Sequence, residues 1–175
     1  VHFATLTIDQ AGEQAIVRVK VEVERFAGDR PVEVDLTLIP PDGPDPVAGQ
    51  KLTLAEPGSQ LVAEASLAIA QPRLWWTHDL GEPALYTLQV RLLQDGSELD
   101  CTQLPAGIRT LKLDQSPDPD EPGTRFFRFI LNGVPIFARG ANWAPASSFV
   151  GALTAEWYEQ LLGAACDANM NMLRV

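Results

Sequence analysis

The chain has 175 residues with a formal charge of −10, 46% hydrophobic and 21% charged, enough for one ordinary domain and a remainder, since domains commonly run to about 100–200 residues. A pI near 4.5 sets up long-range repulsion from phosphate backbones and anionic lipid headgroups, so nucleic acid and membrane surfaces are poor partners and a neutral ligand is compatible. No apolar run approaches the roughly 18 residues that a membrane span needs.

The first clear element is a strict alternation: Ile16, Val17, Val19, Val21 and Val23 interleave with Arg18, Lys20, Glu22 and Glu24. One face of that strand is buried and the other wetted, as in an antiparallel sheet. The same period of two returns in Val32, Val34, Leu36 and Leu38, more weakly in Leu61, Ala63, Ala65, Leu67 and Ile69, and again in Tyr86, Leu88, Val90 and Leu92. Breakers separate the runs at Ala27-Gly28-Asp29, at the proline-rich stretch from Pro40 to Pro46, at Glu56-Pro57-Gly58-Ser59 and at Gln94-Asp95-Gly96-Ser97. Asp-Gly accepts positive φ, so the last of these is a hairpin turn. About seven short strands in about 110 residues, with no helix between them, predict an immunoglobulin-like β-sandwich over residues 1–115.

Trp75 and Trp76 interrupt the alternation side by side. Neighbours on an extended chain face opposite ways, so one is expected in the core while the other meets a neighbouring domain; a sugar-stacking platform is the alternative. His78 beside them reads as a loop residue. Cys101 and Cys166 lie 65 positions apart and read as free thiols, and with His2 and His78 they give no zinc spacing, so no metal site is expected. Val1 opens the chain without a basic or apolar leader pattern, which leaves the compartment unread.

The pattern changes after residue 115. Gln115 to Gly123 is a proline-rich acidic connection, read as a linker over 116–125 that separates domains or makes a long excursion from a sheet edge. Phe126 to Ile130, the Asn132-Gly133 pair and the run from Val134 to Ala138 predict a hairpin. Thr154 is a candidate N-cap, Glu156 stands in the first turn, and Trp157, Leu161, Ala164, Ala165 and Ala168 recur at helical spacing, so residues 155–168 predict an amphipathic helix ending near Asn169. Met170 to Val175 resembles a buried parallel strand. Strand, helix and strand make a βαβ unit, which cannot cover both faces of its own sheet. Further strands and helices are therefore expected to follow in a longer parent.

Phe129 to Pro145, with its core Asn132-Gly133-Val134-Pro135-Ile136-Phe137-Ala138-Arg139-Gly140-Ala141-Asn142-Trp143, resembles the sandwich-to-barrel junction of family 2 glycoside hydrolases, nearest to the β-mannosidase branch. Ala168 to Val175 is similar to that branch's second barrel strand. Leu74-Trp75-Trp76, Pro83-Ala84-Leu85-Tyr86 and Gly107-Ile108-Arg109-Thr110 are similar to its central immunoglobulin-like domain. The resemblance is good over residues 70–175 and general over the first seventy.

What the resemblance implies is a sandwich over 1–115 and, over 126–175, the opening piece of a (β/α)8 barrel. The parent would be a retaining exo-glycosidase removing terminal β-D-mannose with two carboxyl groups about 5–5.5 Å apart. Both glutamates would lie on later strands, so no catalytic residue and no cofactor are expected in these residues, and the fragment is expected to be inactive and structural. Three positions carry over as substrate-binding neighbours: Asn142 and Trp143 after the first barrel strand, and Arg174 near the end of the second, where its charge would hold the nucleophilic carboxylate ionised. Packing by Trp143 and a structural ion pair by Arg174 are the alternatives. Ser147 stands where the branch usually shows an acidic residue, which bears on fine specificity. Galactoside and glucuronide branches tend to carry a histidine-containing stretch where this chain has Asn142-Trp143-Ala144-Pro145, so a mannoside is the expected substrate; a carbohydrate-binding sandwich and another family 2 glycosidase are the rival readings. The apolar end, Met170 to Val175, is expected to pack on the sandwich or on another chain.

Overall fold

The computed structural model describes residues 1–9, 12–26, 28–144 and 146–175, and the side chain of residue 150 lies outside that description. Ala27 of the expected turn and Pro145 of the junction motif fall outside the described residues. By contacts the chain divides into two compact units, one of residues 1–75 and 83–110, the other of residues 76–82 and 111–175.

The first unit is a sandwich of two antiparallel sheets. Strands β1 (His2–Ile8), β2 (Gln14–Glu24) and β5 (Gln60–Ala70) pair in the order β1-β2-β5. Strands β3 (Val32–Ile39), β4 (Ala48–Leu54), β6 (Tyr86–Gln94) and β7 (Ser97–Ala106) pair in the order β4-β3-β6-β7. That division of consecutive strands between two sheets is the immunoglobulin-like arrangement. The core is built from the residues whose alternation predicted it: Val34, Leu36 and Leu38 from β3, Ala63, Ala65, Leu67 and Ile69 from β5, Leu88 and Val90 from β6. Each fully buried Val, Leu or Ile contributes about 1.5–3 kcal/mol relative to exposure, so this face dominates the stability of the unit.

One expectation about side chains is corrected. Ile16 is exposed and Ala15 takes the inward place beside Val17, because the period of two in β2 starts one residue earlier than the apolar run suggests. In β6 Leu92, the register partner of the inward Val34, packs against the core as its alternation predicts, and Leu93 is buried outside that alternation, where the pairing with β7 is irregular. Strands β1 and β4 escape a reading by alternation. β1 carries its own register shift between Thr5 and Thr7, and β4 opens on Ala48-Gly49-Gln50-Lys51, which has almost nothing to bury.

Tyr86 ties the sandwich across its corner. Its ring is buried, and its hydroxyl accepts the Arg73 backbone N–H at 2.8 Å, closing the long connection between β5 and β6 back onto the start of β6. Burial pushes the Tyr86 phenol above its ordinary value, so it stays neutral. Asp95 and Gly96 sit at φ 51° and 78°, the positive pair that a two-residue hairpin between β6 and β7 requires.

The second unit holds β8 (Leu111–Asp114), β9 (Arg128–Leu131) and β10 (Val134–Ile136) as an antiparallel sheet in the order β10-β9-β8. Asn132 and Gly133, at φ 49° and 83°, make the tight turn between β9 and β10. The acidic proline-rich stretch is a hairpin excursion between β8 and β9. Phe126 N–H bonds Ser116 O at 3.0 Å and Asp118 N–H bonds Thr124 O at 3.1 Å across it. Asp114 accepts from the Ser116 N–H at 3.0 Å and pairs with Arg128 at 2.7 Å. The Ser116 backbone and hydroxyl, then the Arg128 guanidinium, lower the Asp114 carboxyl to about 2.

Helix α1 (Ala155–Asp167) begins at Thr154, whose hydroxyl accepts the Trp157 N–H at 3.4 Å. It ends in a Schellman closure: Asn169, at φ 56°, donates to Cys166 O and Met170 donates to Ala165 O. Strands β11 (Gly140–Asn142) and β12 (Met172–Arg174), either side of α1, run parallel. The parallel partner of β12 is therefore β11 and not the returning strand of the hairpin, which pairs with β9. Gly140-Ala141-Asn142 has no apolar pattern to announce it. Cys101 and Cys166 are both exposed free thiols.

Candidate functional site

The three residues singled out by the resemblance meet at one end of the β11/β12 pair. Asn142 is the register partner of Arg174, and parallel neighbours in register project their side chains to the same side. The Arg174 Nη1 donates to the Asn142 Oδ1 at 3.4 Å, and the Trp143 N–H donates to the Arg174 carbonyl at 2.7 Å, extending the ladder one step past the strand. Both ends are C-terminal in their strands. Asn142 and Arg174 are exposed, while Trp143 is half-buried.

Tyr158, in the first half of α1, completes the group. Its ring stacks on Trp143 with centroids 6.3 Å apart and planes 16° from parallel. The arrangement offers an indole and a phenol held together, a fixed cation and an amide, which suits a polyhydroxylated ring: aromatic faces take its C–H side and the amide and guanidinium take hydroxyls or a carboxylate. Tyr158 was not legible as a site residue, because a tyrosine one position after the Trp157 of an amphipathic pattern looks like ordinary helix surface. Ser147 is occupied locally, its hydroxyl accepting the Phe149 N–H at 3.1 Å.

The opposite, N-terminal end of the same strand pair is tied by a denser polar cluster. The Asn171 Oδ1 accepts the Arg139 N–H at 2.8 Å, and the Arg139 carbonyl accepts the Asn171 and Met172 N–H groups at 2.8 and 3.1 Å. The Asn171 amide nitrogen donates to Asp79 Oδ2 and to Phe137 O, both at 3.1 Å, and the Arg139 guanidinium pairs with the same Asp79 oxygen. The buried Thr77 hydroxyl beside it, then the Asn171 amide, the Asp79 backbone N–H and the Arg139 charge, hold the Asp79 carboxyl below its ordinary value. His78 places Nε2 2.8 Å from the Met170 carbonyl oxygen, which puts a proton on that nitrogen. His78 is thus a loop residue with a structural bond.

Trp75 and Trp76 fall one to each compact unit, and both are half-buried, so neither takes the core place expected of one of them. The Trp75 N–H bonds Ile108 O at 2.9 Å, and the Arg109 guanidinium lies over its ring at 4.4 Å from the centroid. Trp76 packs on Gly81, where an added Cβ would stand 3.1 Å from the indole. The Trp75 face turned to Arg109 is thus not open for a sugar. Among the described residues no group of three or more His, Cys, Asp or Glu side chains could hold a metal ion, and no helix is long and apolar enough to cross a membrane.

The sequence model of the glycosyl hydrolases family 2 matches residues 1–109. The chain belongs to that family. Beta-mannosidase B of Aspergillus flavus is 37% identical over 114 residues, 65% of this chain and 13% of that protein. Beta-mannosidase of Rattus norvegicus is 40% identical over 101 residues, 58% of this chain and 11% of that protein. The crystal structure of a beta-D-mannosidase from Dictyoglomus thermophilum superposes with a TM-score of 0.86 at 33% identity, covering 99% of this chain and 20% of that one. The chain thus spans between 11% and 20% of the length of these relatives. Its β-sandwich followed by a βαβ unit is a fold it shares with a solved member of the family across both compact units.

Proposed function

We propose that these residues are the part of a β-mannosidase in which the sandwich leads into the catalytic barrel, with residues 126–175 opening that barrel. Asn142, Trp143 and Arg174 then line the pocket for a terminal β-D-mannose residue, and the two catalytic carboxyl groups come from outside the 175 residues. The observation that carries this reading is the pairing of Asn142 with Arg174 at the C-terminal ends of adjacent parallel strands, where barrel enzymes build their active sites. The identity of 33% to a beta-D-mannosidase over 99% of the chain supports the substrate class.

In this reading Arg174 hydrogen-bonds the nucleophilic carboxylate and favours its charged form, and Asn142 holds Arg174 in place while bonding a sugar hydroxyl. Trp143, backed by Tyr158, packs against the sugar ring. No residue of this group is a carboxylic acid, so a double displacement between two carboxyl groups cannot run on these residues alone. The test compares the 175-residue chain with the full-length gene product on aryl β-mannoside, β-galactoside and β-glucuronide. The full-length protein is expected to release the aryl group fastest from the mannoside and the 175-residue chain to release none. Faster release from another sugar, or turnover by the chain alone, would overturn the reading.

A further inference from the structure

The Asp79 cluster lies at the end of the strand pair away from the candidate sugar site, and nothing in the chemistry proposed above uses it. It joins a short segment between β5 and β6, residues 76–82, to the residues that precede β11 and β12. Why such a small strand pair needs it follows from length. β11 and β12 are three residues each and pair over three positions, Gly140 with Met172, Ala141 with Leu173 and Asn142 with Arg174. So short a ladder specifies its register weakly, and a slip of one residue turns every side chain to the other face. A slip would take Arg174 away from Asn142.

Two features oppose the slip. Gly140 lies so close to β12 that an added Cβ would stand 1.9 Å from the Met172 carbonyl oxygen, so this position takes no side chain at the observed spacing. Asn171 spends its whole side chain on the register: its oxygen on the Arg139 N–H, its nitrogen on Phe137 O and Asp79. An amide can flip its two ends. Asp79, which when ionised can only accept, faces the Asn171 nitrogen and, together with the Phe137 carbonyl, favours the orientation in which the oxygen meets the Arg139 N–H. Its pairing with the Arg139 side chain holds the other strand by the same oxygen.

We propose that Asp79 is a positioning residue: by orienting Asn171 and holding Arg139 it sets the register of β11 against β12, and so places Arg174 opposite Asn142 at the far end. This deepens the reading of the site given above and rests on it only for the consequence in catalysis. The structural half is testable on the 175-residue chain itself. Hydrogen exchange is followed at the Trp143 amide, which bonds Arg174 O at 2.7 Å, and at the Val90 amide in the sandwich. With Asp79→Ala the Trp143 amide is expected to exchange at least about tenfold faster with Val90 unchanged, local opening being separable from global unfolding. Asp79→Asn, which keeps an acceptor but loses the charge, should fall between.

Unchanged exchange at Trp143 in Asp79→Ala would overturn the proposal. If Asp79→Ala exposes the Val90 amide as well, Asp79→Asn decides, and equal acceleration at both amides would show a general role in folding instead. The catalytic half uses the full-length protein on an aryl β-mannoside. Displacing Arg174 removes a cation from the nucleophile, so the acid limb of the kcat/KM profile is expected to move up by about one pH unit in Asp79→Asn. Arg174→Ala should move the same limb at least as far. A limb that moves in Arg174→Ala and stays in Asp79→Asn would overturn the positioning role. A limb unmoved in Arg174→Ala, with exchange at Trp143 still accelerated in Asp79→Ala, would overturn the reading of the sugar site and leave the register role standing.

Discussion

The two compact units are held by different physics. In the sandwich nearly every inward position of four strands is closed to water, from Val17 in β2 to Leu88 in β6. In the second unit Leu131 and Thr77 are the buried residues among those described, and Phe137 (80% exposed) and Trp157 (49%) stand open. Order there comes from turns, caps and ion pairs: the Asn132-Gly133 turn, the Thr154 cap, Asp114 with Arg128, Asp79 with Arg139 and Asn171. Apolar burial tolerates acid and salt, whereas exposed ion pairs and hydrogen bonds do not. One unit should therefore fail through its core and the other through its polar contacts.

The largest expected effect is in the sandwich core. Leu88→Ala, at a position 0% exposed, should cost about 2–5 kcal/mol in urea unfolding. The matching truncation in α1, Leu162→Ala, should cost less than about 1 kcal/mol because that side chain is already half in water. Equal losses would break the contrast. Next, Tyr86→Phe leaves the Arg73 N–H without its acceptor and should cost about 1–3 kcal/mol, lowering the sandwich transition with little effect on helix content. Thr154→Ala should cost about 1 kcal/mol, read as lost helicity by circular dichroism.

The smallest effect is on acidification, and its sign is fixed by the pKa directions. Asp114 and Asp79 are both lowered in the folded chain, so each contributes stability that is fully present above the ordinary carboxylate value and is lost as pH falls through the folded one. For Asp114 that window runs from the ordinary 3.8 down to about 2. Amides of β8 and β9 should lose protection across it before those of β3 and β6 do. Simultaneous loss in both units would show that their stabilities are not separable in this way.

The contrast also explains what could be read without coordinates. Strands β2, β3, β5 and β6 were legible because a half-buried strand must alternate, and the hairpin turns because Asp-Gly and Asn-Gly accept positive φ. Helix α1 was legible within one residue, from its cap and its spacing. What escaped has in common that burial does not specify it. β4 and β11 rely on glycines, Gly49 and Gly140, that let backbones approach, and β1 is broken by a register shift. Asn142, Trp143 and Arg174 were found through family resemblance and not through pattern. Their convergence depends on a parallel register that no local spacing encodes. Tyr158 and Asp79 come to the strand pair from a helix and from a loop between sandwich strands, and tertiary placement alone joins them to it.

The most direct test of the central claim is kcat/KM of the full-length protein on an aryl β-mannoside with and without Arg174→Ala. A loss of about 100-fold or more is expected if the guanidinium acts on charge that develops in the reaction, with the sandwich transition unchanged. Activity within a factor of about two of the unaltered protein, a difference worth only about 0.4 kcal/mol, would contradict the placement of Arg174 in the sugar site.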